Sequence, residues 1–273
     1  MESNDVEMNF WEHLEELRRR IIISLIALAV FSVLGLSFLK PIQYVLELPM
    51  KSPMMNMVAK AIEARAGTEG STLGFLALSL RSGTTSRVEA ELILTGPFQG
   101  IMAYLTIGIT TGVLLSLPII LYQIWMFVFP ALNRSEQRLA APLFFTIIFF
   151  FILGAVFAYF IVVPVVLQFA AGLFQFKNLW DLKGYITFVT QLILGFGVAF
   201  ELPIVMAFLA RIGVIDSQGF RGKQRYALLG ICVISALLTP ADPGSMLLMA
   251  IPLFILYQLG IFFAFLVEKE VEA

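Results

Sequence analysis

The chain has 273 residues, 59% of them hydrophobic and only 14% charged, with a mean hydropathy of +0.91. A soluble globular domain is nearer half apolar and a quarter charged, so a water-soluble fold is excluded for most of the chain. The net charge of −1 offers no basic field for a nucleic acid, and the single cysteine, Cys232, excludes an intramolecular disulfide framework and reads as a buried, inert thiol.

The N-terminal stretch "NFWEHLEELRRRII" places Phe10, Leu14, Leu17 and Ile21 at spacings of four, three and four, one apolar stripe on a helix. Residues 1–20 therefore read as an amphipathic segment at the membrane surface. Glu12, Glu15 and Glu16 cluster there. Glu15–Arg19 and Glu16–Arg20 have the spacing and order of helix-stabilising ion pairs. His13, the only histidine, reads as an interfacial or hydrogen-bonding residue rather than a catalytic one. Arg18, Arg19 and Arg20 lead into an apolar run that is longer than the core of a signal peptide and has no small-residue cleavage site after it. It is predicted to be the first membrane span, 21–39.

A long loop, 41–95, is expected next. Its stretch "SPMMNMVAKAIEARAG" has helical apolar spacing, and "GTEGST" and "RSGTTS" read as turns. The second and third spans are predicted over 98–127 and 139–173, with Pro118 and Pro164 as kink sites. Between them Pro130 ends one helix. Ser135 suits the cap of the next, and Glu136 would then sit where the helix dipole favours an acid.

The fourth predicted span, 186–212, carries Glu201 near its middle. A carboxylate at mid-membrane costs on the order of 2.5–3.5 kcal/mol on insertion scales and almost always faces a bundle interior, a cavity or a partner. An uncharged carboxyl bonded to a neighbouring span is the alternative. The last two spans, 226–238 and 246–267, flank "TPADPG", where Asp242 reads as a turn or capping residue. The fifth, about 14 residues at 1.5 Å each, reaches only ~21 Å, so this hairpin is either re-entrant or spans while locally thinning the bilayer; Lys223 and Lys269 at its two outer ends favour spanning. Short loops rich in Arg and Lys place both termini on the cytoplasmic side. No phosphate-binding loop, metal-spaced ligand cluster or nucleophile–base pair is evident, which disfavours an ATP-driven pump or an enzyme. No internal repeat has a clear period, so one membrane domain, 1–273, accounts for the chain.

Four motifs in order resemble one family, the twin-arginine protein translocase family TatC: "HLEELRRR", "LPIILYQIWMFVFPALNRSEQR", "FGVAFELPI" and "LLTPADPGSMLLMAIPLFILYQLG". The resemblance covers nearly the whole chain. It implies an all-α polytopic membrane protein of six transmembrane helices, a concave, glove-like bundle with a short last hairpin. It also implies a non-enzymatic receptor and scaffold in a bacterial inner membrane, assembled in several copies, that uses no cofactor and draws on the proton-motive force to export folded proteins. By motif match, Glu16 and Glu136 would meet the paired arginines of signal peptides. Arg18, Phe127, Pro130 and Leu132 would shape that site. Glu201 would dock a single-span partner of the TatA or TatB type. Pro49 matches the family's proline after the first span, and Asp242 and Gln258 fall at structural or assembly positions. Gln258 stands where members often carry an acid, and 54–88 looks like an insertion in the first loop. Two other readings stand beside this one: a small-solute transporter with Glu201 as proton carrier, and an intramembrane enzyme. The absence of matching broken-helix halves argues against the first.

Overall fold

A computed structural model describes residues 10–51, 91–128, 134–172, 179–239 and 243–271. The elements in chain order are α1 (Phe10–Ser37), α2 (Leu39–Lys51), β1 (Glu91–Ile93), α3 (Gln99–Val128) and α4 (Arg134–Phe157). A π-helical turn (Ala158–Val162) follows, then α5 (Val163–Gly172), β2 (Leu179–Asp181), α6 (Leu182–Ala199) and α7 (Leu202–Arg211). The chain closes with α8 (Ser217–Gly222), α9 (Gln224–Leu238) and α10 (Pro243–Val271). Among the described residues, five stretches are long and apolar enough to cross a membrane, and α9 is a shorter apolar helix of 15 residues. The six-span, all-α expectation therefore holds. At 1.5 Å per residue α9 is only about 22 Å long.

The chain divides into two compact units, residues 1–42 with 104–148, and residues 43–103 with 149–273. In the first unit α1 and α3 run antiparallel: contacts that climb α1 descend α3. His13 stacks on Phe127 with ring centroids 4.3 Å apart, and Arg20 bonds Gln123. Higher up, small residues let the backbones meet. A Cβ at Gly35 would lie 2.8 Å from Thr111 Cβ and 3.1 Å from the Gly108 carbonyl, and one at Gly112 would overlap Ser32. Close approach through small residues is how helices associate in lipid, where apolar burial gives no net drive. The rest of α1 leaves Ile22, Leu25, Ile26, Val30 and Val33 exposed, the expected surface toward acyl chains.

The second unit is packed around Phe196, Ile186, Leu192, Met249 and Leu253, all fully buried. Its helices start and stop on local signals. Asp181 caps α6 by accepting from the Gly184 amide at 2.9 Å, and Asp216 caps α8 through the Gly219 amide at 2.8 Å. The α7 helix ends in a Schellman turn at Gly213 (φ +73°), where Val214 N–H bonds Leu209 O and Gly213 N–H bonds Ala210 O.

Several features differ from the sequence-based expectations. Helical structure resumes at Leu39 and runs to Lys51, so the first part of the expected 41–95 loop is helical; Pro41 is tolerated because it lies in the first turn. The expected kink at Pro164 takes the form of a π-turn. Proline offers no amide to Phe160 O, and the turn widens so that Val163 N–H bonds Ala158 O. Pro118, by contrast, is accommodated within the continuous α3. The fourth span is broken at Phe200–Glu201. Pro203 has no N–H for Ala199 O, and Glu201 N–H instead takes Val198 O at 3.1 Å. A three-residue parallel pair, Glu91–Ile93 with Leu179–Asp181, adds a minor strand element to the helical fold. Cys232 is half-buried rather than buried.

Candidate functional site

The first candidate cluster lies at the N-terminal end of α1. Residues 13, 16 and 20 share one helical face because they recur at spacings of three and four. On that face Glu16 Oε1 pairs with Arg20 Nη2 at 2.9 Å, and Arg20 Nη1 donates to Gln123 Oε1 at 3.0 Å. The two charged side chains are only 20–21% exposed, so their attraction is screened less than that of a surface pair. Glu15 and Arg19 form no such bridge among the described residues. Beside the pair lies an open recess of about 570 Å³ along α1, bordered by Glu15, Glu16, Arg18, Arg19, Arg20 and two isoleucines. Of the expected site residues, Phe127 is therefore brought to α1 through His13, and Arg18 borders the same recess as Glu16.

Glu136 has its backbone in the first turn of α4. That helix begins at Arg134, so Ser135 lies inside it rather than capping it, and Glu136 is its third residue. Pro130 and Leu132 lie outside the described residues, as do Asp242 and the expected helix in the first loop.

The second candidate centre is Glu201. It sits at the break between α6 and α7, with backbone angles φ −74° and ψ −21°. Both carboxylate oxygens are buried, and neither has a hydrogen-bond partner among the described residues. The break is clasped by two glycines. A Cβ at Gly154 would lie 2.5 Å from the Phe196 carbonyl, and Gly260 backs onto Pro203 and Met206. Phe157 packs against Phe196 and Phe200, 5.8 and 5.4 Å between ring centroids. Gln258 accepts a hydrogen bond from Gln224 Nε2 at 3.2 Å, and Pro49 lies inside α2.

Sequence reasoning passed over Gln123 and the His13–Phe127 stack. The four-residue spacing of Gln123 and Phe127 puts them on one face of α3, but nothing in the sequence pairs that face with His13 and Arg20. Glu268 was also missed: its carboxylate takes both the amide and the hydroxyl of Ser217, the latter at 2.7 Å.

Six apolar helices, an ion-paired polar cluster at one end and a lone acid at a break in the fourth span define a polytopic helical membrane protein without a catalytic constellation among its described residues. Residues 12–252 match the family profile of the Sec-independent protein translocase protein (TatC). Two TatC proteins are similar along almost the whole chain. The one from Aquifex aeolicus is 35% identical over 96% of this chain and 97% of its own length. The one from Desulforapulum autotrophicum is 33% identical over 96% and 86%. A crystal structure of the twin arginine translocase receptor TatC, 34% identical, superposes with a TM-score of 0.71 over 94% of this chain and 99% of the other. The chain belongs to the Sec-independent protein translocase TatC family. It is thus a membrane component of a protein translocase and not an enzyme, which sets aside the small-solute and enzyme readings.

Proposed function

We propose that this chain is the receptor and core scaffold of a twin-arginine translocase in a bacterial inner membrane, with both termini cytoplasmic. Glu16 and Glu136 receive the two arginines of a signal peptide. Glu201 docks a single-span TatA- or TatB-type partner. Several copies assemble, and export of folded cargo draws on the proton-motive force without a cofactor. The observation that carries this reading is the placement of Glu16, a half-buried carboxylate held by Arg20 beside an open recess along α1.

The chemistry follows from that placement. A guanidinium presents a planar fork that a carboxylate accepts through two parallel bonds, whereas an ammonium is a point charge. Holding Glu16 in place before the peptide arrives spares the entropy of ordering it. Arg18 and Arg19 at the same recess oppose a peptide with excess positive charge, so only a ligand whose geometry recovers that cost is retained. A buried carboxyl at the α6–α7 break, without a partner among the described residues, gains most from a polar group supplied by another span.

The test is binding of a labelled twin-arginine signal peptide to the purified chain in nanodiscs, beside the same peptide with two lysines. Tighter binding of the arginine peptide by about tenfold or more is expected. Equal affinities would remove the basis of the reading.

A further inference from the structure

On the second unit, two tyrosine hydroxyls grip consecutive carbonyls of one helix. Tyr159 donates to Val45 O, and Tyr185 donates to Leu46 O at 2.7 Å. The first of these acceptors is special. In an α-helix the carbonyl of residue 45 takes its proton from the amide of residue 49, and residue 49 is Pro49. Pro49 has no amide to give, and its ring pushes the Val45 carbonyl outward from the helix axis. An acceptor so released must find another donor or bear the cost of going unpaired. Tyr159 supplies that donor.

The position of Tyr159 has its own cause. It lies within the π-turn of residues 158–162, which opens one turn before Pro164. A π-turn carries an extra residue and so re-aims the side chains within it. The second tyrosine is set from the other side. Tyr185 is almost fully buried and stacks on Trp180 at 6.4 Å and 13°, and Trp180 is fixed by the β1–β2 pair. Leu46 and Pro49 are buried, while Tyr44, Val45 and Leu48 are exposed.

We propose that Tyr159 acts as a positioning residue whose hydroxyl replaces the amide missing at Pro49, and that with Tyr185 it forms a two-point latch holding α2 against the third and fourth spans. Pro49 is then required for what it lacks: without an amide at 49, the α2 carbonyl is available to a neighbouring span instead of to its own helix.

The arrangement makes a prediction that packing alone would not. Restoring the amide with Pro49→Ala gives Val45 O its own intrahelical donor, so the Tyr159 hydroxyl becomes largely redundant. The experiment is hydrogen exchange of segment 43–51 in the full chain in nanodiscs, for Tyr159→Phe in the native and the Pro49→Ala backgrounds. In the native background exchange should rise about two- to tenfold, the loss of one hydrogen bond. In the Pro49→Ala background it should rise by less than about twofold. Tyr185→Phe serves as the control. Its acceptor is not the one released by Pro49, so its effect should be equal in both backgrounds. Tyr159→Phe acting equally in both backgrounds, or leaving exchange unchanged in the native one, would overturn the latch.

Discussion

Replacing Glu16 with glutamine removes a charge and little else. The amide oxygen can still accept from Arg20 Nη2 where Oε1 now does at 2.9 Å, and Arg20 keeps its bond to Gln123. An i,i+4 ion pair is worth about 0.2–0.5 kcal/mol to a helix, and part of that remains as a hydrogen bond. Stability should therefore fall by less than about 1 kcal/mol. Binding should respond more strongly. Hydrogen bonds to a charged group contribute roughly 1.5–3 kcal/mol, and Glu16, at 20% exposure, lies where solvent screens only part of that. Loss of the carboxylate should weaken a twin-arginine peptide by about 10- to 100-fold. Fluorescence anisotropy in nanodiscs would give the affinity, and thermal unfolding of the same sample would give the stability. Native affinity in Glu16→Gln would refute the binding role. A parallel collapse of both would show that Glu16 serves only to hold α1.

Gly154→Ala should destabilise by about 1–3 kcal/mol, because its Cβ would meet the Phe196 backbone carbonyl at 2.5 Å and backbone cannot rotate away; the thermal midpoint reads this. Gly230→Ala, with nothing within 4 Å of the new Cβ, should instead stabilise α9 by about 0.5–1 kcal/mol. Glu201→Met should leave peptide binding intact and raise the unfolding midpoint, since it removes two buried oxygens that have no partner among the described residues at a typical cost of about 1–3 kcal/mol. Co-purification of single-span partners should fall in that variant, and undiminished co-purification would contradict the docking role. Glu268→Ala should free the Ser217 amide and hydroxyl together and raise proteolysis of the 212–223 segment, whereas Ser217→Ala, which keeps the amide bond, should have a smaller effect.

The spans were legible because membrane solvent demands long apolar runs, and five of the six predicted segments fall on long apolar helices, with the short fifth matching α9. What hydropathy could not show was where those helices break. The run from Leu182 to Arg211 is predominantly apolar, and the interruption at Phe200–Glu201 arises from one missing amide, that of Pro203. Hydropathy is equally blind to α2, whose Lys40, Gln43, Glu47 and Lys51 alternate with apolar residues and resemble a loop by composition. Within the first candidate site the i,i+4 pairing of Glu16 with Arg20 could be read from spacing alone, but Gln123 could not. A contact 103 residues away depends on the register of α1 on α3, which is set by Gly35, Gly108 and Gly112. Glu201 was legible as an anomaly from its cost in lipid, and its seat at a helix break came from the fold.

Photo-crosslinking would locate the paired arginines of a bound signal peptide, proposed to sit at Glu16 and Glu136. A signal peptide carrying a photoreactive residue next to its arginine pair would be bound to the chain in nanodiscs, irradiated, and the adducts mapped by mass spectrometry. Adducts are expected within 12–23 and 127–139, abolished when Glu16 and Glu136 are both replaced by glutamine. Adducts confined to the α6–α7 break around Glu201, or an unchanged pattern in the double variant, would contradict that placement.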